Sequence, residues 1–241
     1  MNISMFPRVW RLIPTLMASG DVQMAIDSWL LTQHELGKHP STLRFYTWSP
    51  PAISLGYHQR QYPEFWQNLT CNGEKLDLVR RPTGGRAVLH QGDLTYTVVT
   101  SGLRGNHLDV YAKICEFLIQ GWRSLGVDLS YGQAGRGYIH NPNCFGTATG
   151  ADLVLGGGYK LIGSAQLRRG DAVLQHGSMR LNPDADLFTK VFNQEFFDTG
   201  KLPPNINQET IINALLESAC NCFGIEIQIE PLSPEEWKEI M

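Results

Sequence analysis

Leu76-Asp77-Leu78-Val79-Arg80-Arg81-Pro82-Thr83-Gly84-Gly85-Arg86-Ala87-Val88-Leu89-His90 leads, after two residues, into Asp93-Leu94-Thr95-Tyr96-Thr97-Val98-Val99. A strand-like run enters a paired glycine and an alternating β pattern leaves it. Paired glycines let the backbone approach a ligand closely or take φ > 0. The flanking arginines are suited to binding an anion. A hairpin with a solvated basic turn is the commoner fate of Gly-Gly between strands. Such a turn, however, has no need of Arg80, Arg81, Arg86 and His90 around it.

Outward from this segment the pattern is mixed. Residues 21–34 carry Val22, Met24, Ala25, Ile26, Trp29, Leu30 and Leu31, a broad helical stripe with Ser19 or Asp21 available as N-cap. Residues 42–48 alternate as a strand, Pro50-Pro51 breaks it, and Ile53-Ser54-Leu55 resumes. Residues 76–80, 86–90 and 94–100 read as three further strands. Tyr111, Ile114, Phe117, Leu118 and Trp122 predict a core-facing helix over 109–125. Residues 127–131 read as a short strand. A meander is expected over 153–155, 159–167 and 172–180, with Gly156-Gly157-Gly158 in its first turn. Helices follow over 182–192, with Pro183 at the first helical position, and over 208–222. Helices thus sit between groups of strands rather than alternating with them one for one. That predicts an α+β fold, a mixed, largely antiparallel β-sheet flanked by helices. A single domain over 1–241 is expected, with 182–241 as its helical C-terminal part.

The 241 residues are 42% hydrophobic and 18% charged, the composition of an ordinary globular protein. A net charge of −3 gives no general attraction to nucleic acid or an anionic membrane. Arg8, Arg11 and Pro14 interrupt the apolar N-terminus, so no signal-peptide core is expected, and no apolar run is long enough to span a bilayer. Five irregularly spaced cysteines without a CxxC pair argue against a disulfide framework or a structural zinc site, and no metal is expected. A cytoplasmic location fits best.

Cys144 lies in the irregular, glycine-rich stretch 132–150, whereas Cys115 falls on a helix and should pack. The ordinary fate of a single cysteine is a small buried hydrophobe, and reactivity requires a nearby cation. Lys160 is the candidate cation, although a lysine on a strand usually points to solvent. His140 and His176 are alternative bases, and spacing alone does not choose between lysine and histidine.

Together the run from Arg80 to Val99, Lys160-x-x-Gly163-Ser164-Ala165-Gln166 and Gln175-His176-Gly177-Ser178 resemble the biotin/lipoate A/B protein ligase family. Gln23-Met24-Ala25-Ile26-Asp27 and Trp48-x-Pro50-Pro51-Ala52-Ile53-Ser54-Leu55-Gly56 fit the same family, and the likeness covers roughly residues 18 to 180. It implies the class II synthetase-like catalytic fold and one of two chemistries. Ligases use ATP to make lipoyl-adenylate, whereas octanoyltransferases take octanoate from acyl carrier protein through a cysteine thioester. Thr83-Gly84-Gly85-Arg86 resembles the octanoyltransferase loop, and Cys144-Phe145 lies where those of the LipM type carry their nucleophile. The length also leaves little room for the accessory domain common in bacterial ligases.

The resemblance therefore implies Cys144 and Lys160 as the catalytic pair. It implies substrate contacts from Arg81, Thr83, Gly84, Gly85, Arg86, Ala87, His90, Gly163, Ser164 and Ala165. Acyl carrier protein, with octanoate on its phosphopantetheine, is the implied donor, and a lipoyl domain or glycine-cleavage H protein the implied acceptor. No cofactor is implied, and ATP enters only if the chain is a ligase. The same residues would also suit an octanoyl amidotransferase working between lipoyl-domain proteins, or a lipoyl-domain binder without catalysis. The Gly156-Gly157-Gly158-Tyr159 turn is one residue longer than the usual hairpin before the lysine, which leaves the reach of Lys160 as the open point.

Overall fold

The computed structural model describes residues 8–132, 152–194, 202–203 and 206–241. In chain order its elements are β1 (Arg8–Ala18), α1 (Gly20–Glu35), β2 (Thr42–Trp48), β3 (Ala52–Leu55), β4 (Thr70–Cys71), β5 (Glu74–Lys75), β6 (Asp77–Arg80), β7 (Val88–His90) and β8 (Asp93–Thr100). Then come α2 (His107–Ser124), β9 (Ser130–Tyr131), β10 (Leu153–Val154), β11 (Lys160–Arg169), β12 (Ala172–Arg180), α3 (Ala185–Phe192), α4 (Gln208–Phe223), β13 (Ile225–Ile229) and α5 (Pro234–Ile240). The large sheet runs β13-β1-β2-β8-β12-β11-β10-β9, with the first two pairings parallel and the others antiparallel. The expected α+β architecture is what forms.

A separate sheet runs β6-β3-β7, parallel then antiparallel. The strands on either side of Gly84-Gly85 therefore do not pair with each other. They flank β3, and the segment between them is a crossing loop rather than a hairpin turn. Helix α2, with α4 against it, covers one face of the large sheet and buries Ile114, Phe117, Leu118 and Trp122 there. Helix α1 covers the other face with Ile26, Leu30 and Leu31.

Several local features differ from expectation. Ser19 is the N-cap of α1, but its hydroxyl makes no capping bond. Instead the Gly20 N–H donates to Asp77 Oδ2 at 2.8 Å, which ties α1 to β6. Pro183 precedes α3 rather than opening it: Asp184 is the N-cap, its carboxylate accepting from the Leu187 N–H at 2.8 Å. Strand β1 is not legible in the sequence because Pro14 and two arginines break its alternation, and its register against β2 slips between Ile13 and Leu16. The 182–241 part, expected as helical, also holds β13, which pairs with β1. Arg11 is buried and clamps Glu236 with two bonds of 2.6 and 2.8 Å, anchoring α5. The hydrogen bond from Arg11 holds the Glu236 carboxyl below the ordinary range, against the opposing effect of burial. Among the described residues no helix is long and apolar enough to cross a membrane.

Candidate active site

A partly open cavity lies between the large sheet and the glycine loop. Its floor crosses four neighbouring strands, from Trp48 on β2 through Thr95 on β8 and His176 on β12 to Ala165 on β11. At ~4.8 Å per strand the three spacings give a slot roughly 14 Å long.

The glycine loop is braced from several sides. Arg81 Nη1 donates to Ser54 O at 2.8 Å, and its Nη2 donates to Gly84 O at 2.9 Å and Arg86 O at 2.7 Å. Arg80 reaches the carbonyls of Gly56 and Gln59 at 2.7 and 2.9 Å. Gly85 has φ +99°, and a Cβ added at Gly56 would lie 1.8 Å from Gly85 O. Both positions therefore require glycine, one for its backbone angle and one for the close approach.

The remaining walls are polar by composition and apolar by presentation. Asp27 Oδ2 accepts from His176 Nδ1 at 2.8 Å, and from Tyr46 and Thr97 at 3.0 Å each. The other ring nitrogen, Nε2, lies 2.6 Å from the Thr83 hydroxyl. Arg44 donates to Asp27 Oδ1 at 3.3 Å and also to Gln23, which sets a charge against the carboxylate. His90 repeats the arrangement. Its Nδ1 donates to Asp93 at 2.8 Å and its Nε2 accepts from Ser54 at 2.8 Å. Burial lowers the His90 pKa, outweighing the opposing charge of Asp93, so the ring is neutral. Trp48 stacks on that ring at 3.8 Å and donates to Thr95 at 2.8 Å. The bonding directions of both imidazoles are spent within the wall. Ring surface, glycine backbone and the side chains of Met24, Val88 and Ala165 line the cavity together with Ser54, Arg81, Thr95, Ser164 and Ser178. The polar groups of these five are bonded within the protein, a lining that suits a hydrocarbon chain.

Lys160 is buried, not solvated as strand lysines usually are, and its Nζ lies 2.8 Å from Asp152 Oδ1. Its aim comes from an irregularity in the sheet. Leu153 pairs with Ile162, but Val154 pairs with Lys160, leaving Leu161 as an extra residue. Cross-strand partners share a face and alternate residues oppose each other. Leu153 and Ile162 pack in the α2 core, so Val154 and Lys160 belong to the opposite face. That is also the face on which Ala165 partners His176 and Gly163 partners Ser178. Without the bulge, strict alternation would send Lys160 into the α2 core with Ile162. The long glycine turn and the bulge together present the lysine to the cavity side.

The family model for the lipoyl protein ligase A/B catalytic domain matches residues 19–218. The chain belongs to this family. An octanoyltransferase LipM from Moorella thermoacetica is 38% identical over 219 residues, covering 88% of this chain and 76% of the relative. A second, from Bacillus subtilis, is 34% identical over 257 residues, covering 94% and 91%. A putative lipoate protein ligase from T. acidophilum, solved with bound lipoic acid, superimposes with a TM-score of 0.75 at 22% identity, over 95% of this chain and 92% of that one. The last likeness shows the shared fold.

Of the residues expected in this lipoyl protein ligase A/B chain, Arg81, Gly84, Gly85, His90, Gly163, Ser164 and Ala165 line the cavity. Thr83 stands behind the wall on His176. Ala87 packs in the core of the small sheet and is not part of the cavity wall. Arg86 is half-buried and outside the cavity wall, and its carbonyl serves Arg81. Leu161 and Ile162, which follow Lys160 on β11, are in the α2 core. Cys144 and His140 lie outside the described residues. Cys115 packs as expected, with burial pushing its thiol up to about 12. Sequence reasoning missed Asp27, Asp93, Gln23 and Tyr46. The available signal was a charged residue, Asp27, set inside the apolar stripe of α1.

Proposed function

We propose that this chain is an octanoyltransferase of lipoate biosynthesis. It takes octanoate from acyl carrier protein onto Cys144 as a thioester, then passes it to a lysine amine of a lipoyl domain or H protein. The first step exchanges one thioester for another and frees the carrier thiol. The second forms an amide and returns the Cys144 thiol, so both steps proceed without a nucleotide. Lys160 stabilises the thiolate as it forms and as it leaves. We place this reaction in the cytoplasm, with 1–241 working as one catalytic domain.

The observation that carries the reading is the apolar slot lined on β11 by Gly163, Ser164 and Ala165, beginning three residues along the strand from Lys160, in a chain whose curated relatives at 34–38% identity are named octanoyltransferase LipM. Its test is to incubate the protein with octanoyl-acyl carrier protein, without nucleotide, and map any octanoyl adduct by mass spectrometry. The adduct should sit on Cys144 and disappear when a lipoyl domain is added. Acylation that requires ATP and free acid, with no carrier, would establish a ligase instead.

Trp48 closes the slot at the strand furthest from Lys160. Trp48→Ala should therefore lengthen it, and the ratio of dodecanoyl to octanoyl transfer in competition is expected to rise about tenfold or more, since each methylene in an apolar pocket is worth roughly 1–3 kcal/mol. An unchanged ratio would place the chain end elsewhere.

A further inference from the structure

The ion pair between Asp152 and Lys160 is a costly object in its surroundings. Both side chains are almost fully buried, beside Tyr159, Leu161 and Val154, which are buried as well. Charges taken out of water at such a place lose solvation that their mutual attraction scarcely returns. A well-packed apolar pair would serve stability equally well, so the fold alone does not account for these two charges.

Geometry suggests what they do account for. The bulge at Leu161 turns Lys160 onto the cavity face, and Asp152, two residues before Val154, shares that face. The strand therefore brings the ammonium to the right side, and the carboxylate at 2.8 Å fixes where on that side Nζ stands. Asp152 is itself held by its backbone, whose carbonyl accepts from the Gly132 N–H at 2.9 Å. Nearby on α2, Tyr111 and Cys115 are held protonated mainly by burial, with Asp152 a smaller contribution. They therefore bring no competing charge to the pair.

We propose that Asp152 is a positioning residue for the acyl transfer: its carboxylate, just before β10, sets the location of the Lys160 ammonium, and through it the rate at which the acyl-enzyme forms. This rests on the reading of Lys160 given above. Displacing a catalytic group by about 1 Å costs on the order of 10²-fold in rate, which bounds the effect.

The test compares wild type with Asp152→Asn, Asp152→Glu, Lys160→Ala and the double variant Asp152→Asn/Lys160→Ala. Single-turnover octanoyl-enzyme formation is followed at varied octanoyl-acyl carrier protein, with melting temperature as the folding control. Asp152→Asn is expected to melt near wild type, to lower the maximal rate about ten- to a hundredfold, and to leave the half-saturating donor concentration unchanged. Asp152→Glu should recover part of the rate, since it restores the charge at a slightly different reach. The double variant should be no slower than Lys160→Ala alone. Wild-type rates in Asp152→Asn, or multiplicative losses in the double variant, would overturn the proposal while leaving Lys160 in place. If Asp152→Asn instead melts well below wild type, the cycle decides at a temperature where all four variants are folded. If Lys160→Ala itself forms the acyl-enzyme at the wild-type rate, the underlying reading fails, not only its extension.

Discussion

Cys144→Ala is expected to abolish octanoyl transfer to a lipoyl domain, with a fall on the order of 10⁴-fold or more, comparable to removal of a nucleophile elsewhere. The size follows from the lack of a substitute among the described cysteines. Cys115 sits beneath the sheet, its sulfur accepting from Gln175 at 3.4 Å, and its thiol is pushed up to about 12 by burial. A thiol in that state supplies almost no thiolate at neutral pH. Cys220 and Cys222 are on α4, where burial also raises them, and Cys71 is on β4 in a separate two-stranded sheet. Neither location borders the cavity. The measurement is the transfer rate together with the intact mass after exposure to octanoyl-acyl carrier protein. A variant that still acylates at the wild-type rate would refute the thioester route.

Asp27→Ala should be the most destabilising single change near the site, by about 3–5 kcal/mol, because it leaves a buried arginine without its counter-charge. One carboxylate serves Arg44, Tyr46, Thr97 and His176. Its loss strands the Arg44 guanidinium, which is 1% exposed, and frees His176 to rotate away from Thr83. At roughly 2–4 °C per kcal/mol for a chain of this size, melting should fall by about 10 °C. Replacing both partners, as Asp27→Leu/Arg44→Met, should cost less than the single change, since no charge is then left unpaired. A single variant that melts with the wild type would mean that the Arg44 charge finds another partner.

How much of the site is legible in the sequence depends on distance along the chain. The glycine loop, the strand carrying Gly163-Ser164-Ala165 and the strand carrying His176 announce themselves through local composition, and each reaches the cavity. Asp27 and Asp93 do not, because their meaning lies in partners far away: His176 is 149 positions from Asp27, and Ser178 is 85 from Asp93. Within its own helix Asp27 is only a polar break in an apolar stripe. A hairpin at Gly84-Gly85 does not form for a related reason. Adjacent strands usually pair, yet β3, some 25 residues upstream, inserts between β6 and β7. Strand β1 is hidden by Pro14, and Arg11 has the look of a surface charge until Glu236 closes over it.

The bulge beside Lys160 behaves as a phase setting. A strand has only two phases, and one residue converts either into the other. Deleting Leu161 would change no charged group and remove no residue from the cavity wall, and it would leave Lys160 next to Ile162, opposite Val154 and on the same face as now. Pairing Leu161 in register with Val154 is what would turn the lysine to the helix α2 side. Substitutions at the apex of the glycine turn leave that phase alone, as do paired insertions within the strand. Whether Leu161 bulges or pairs thus sets the phase: the chemistry of this site depends on strand pairing as well as on the identity of its residues.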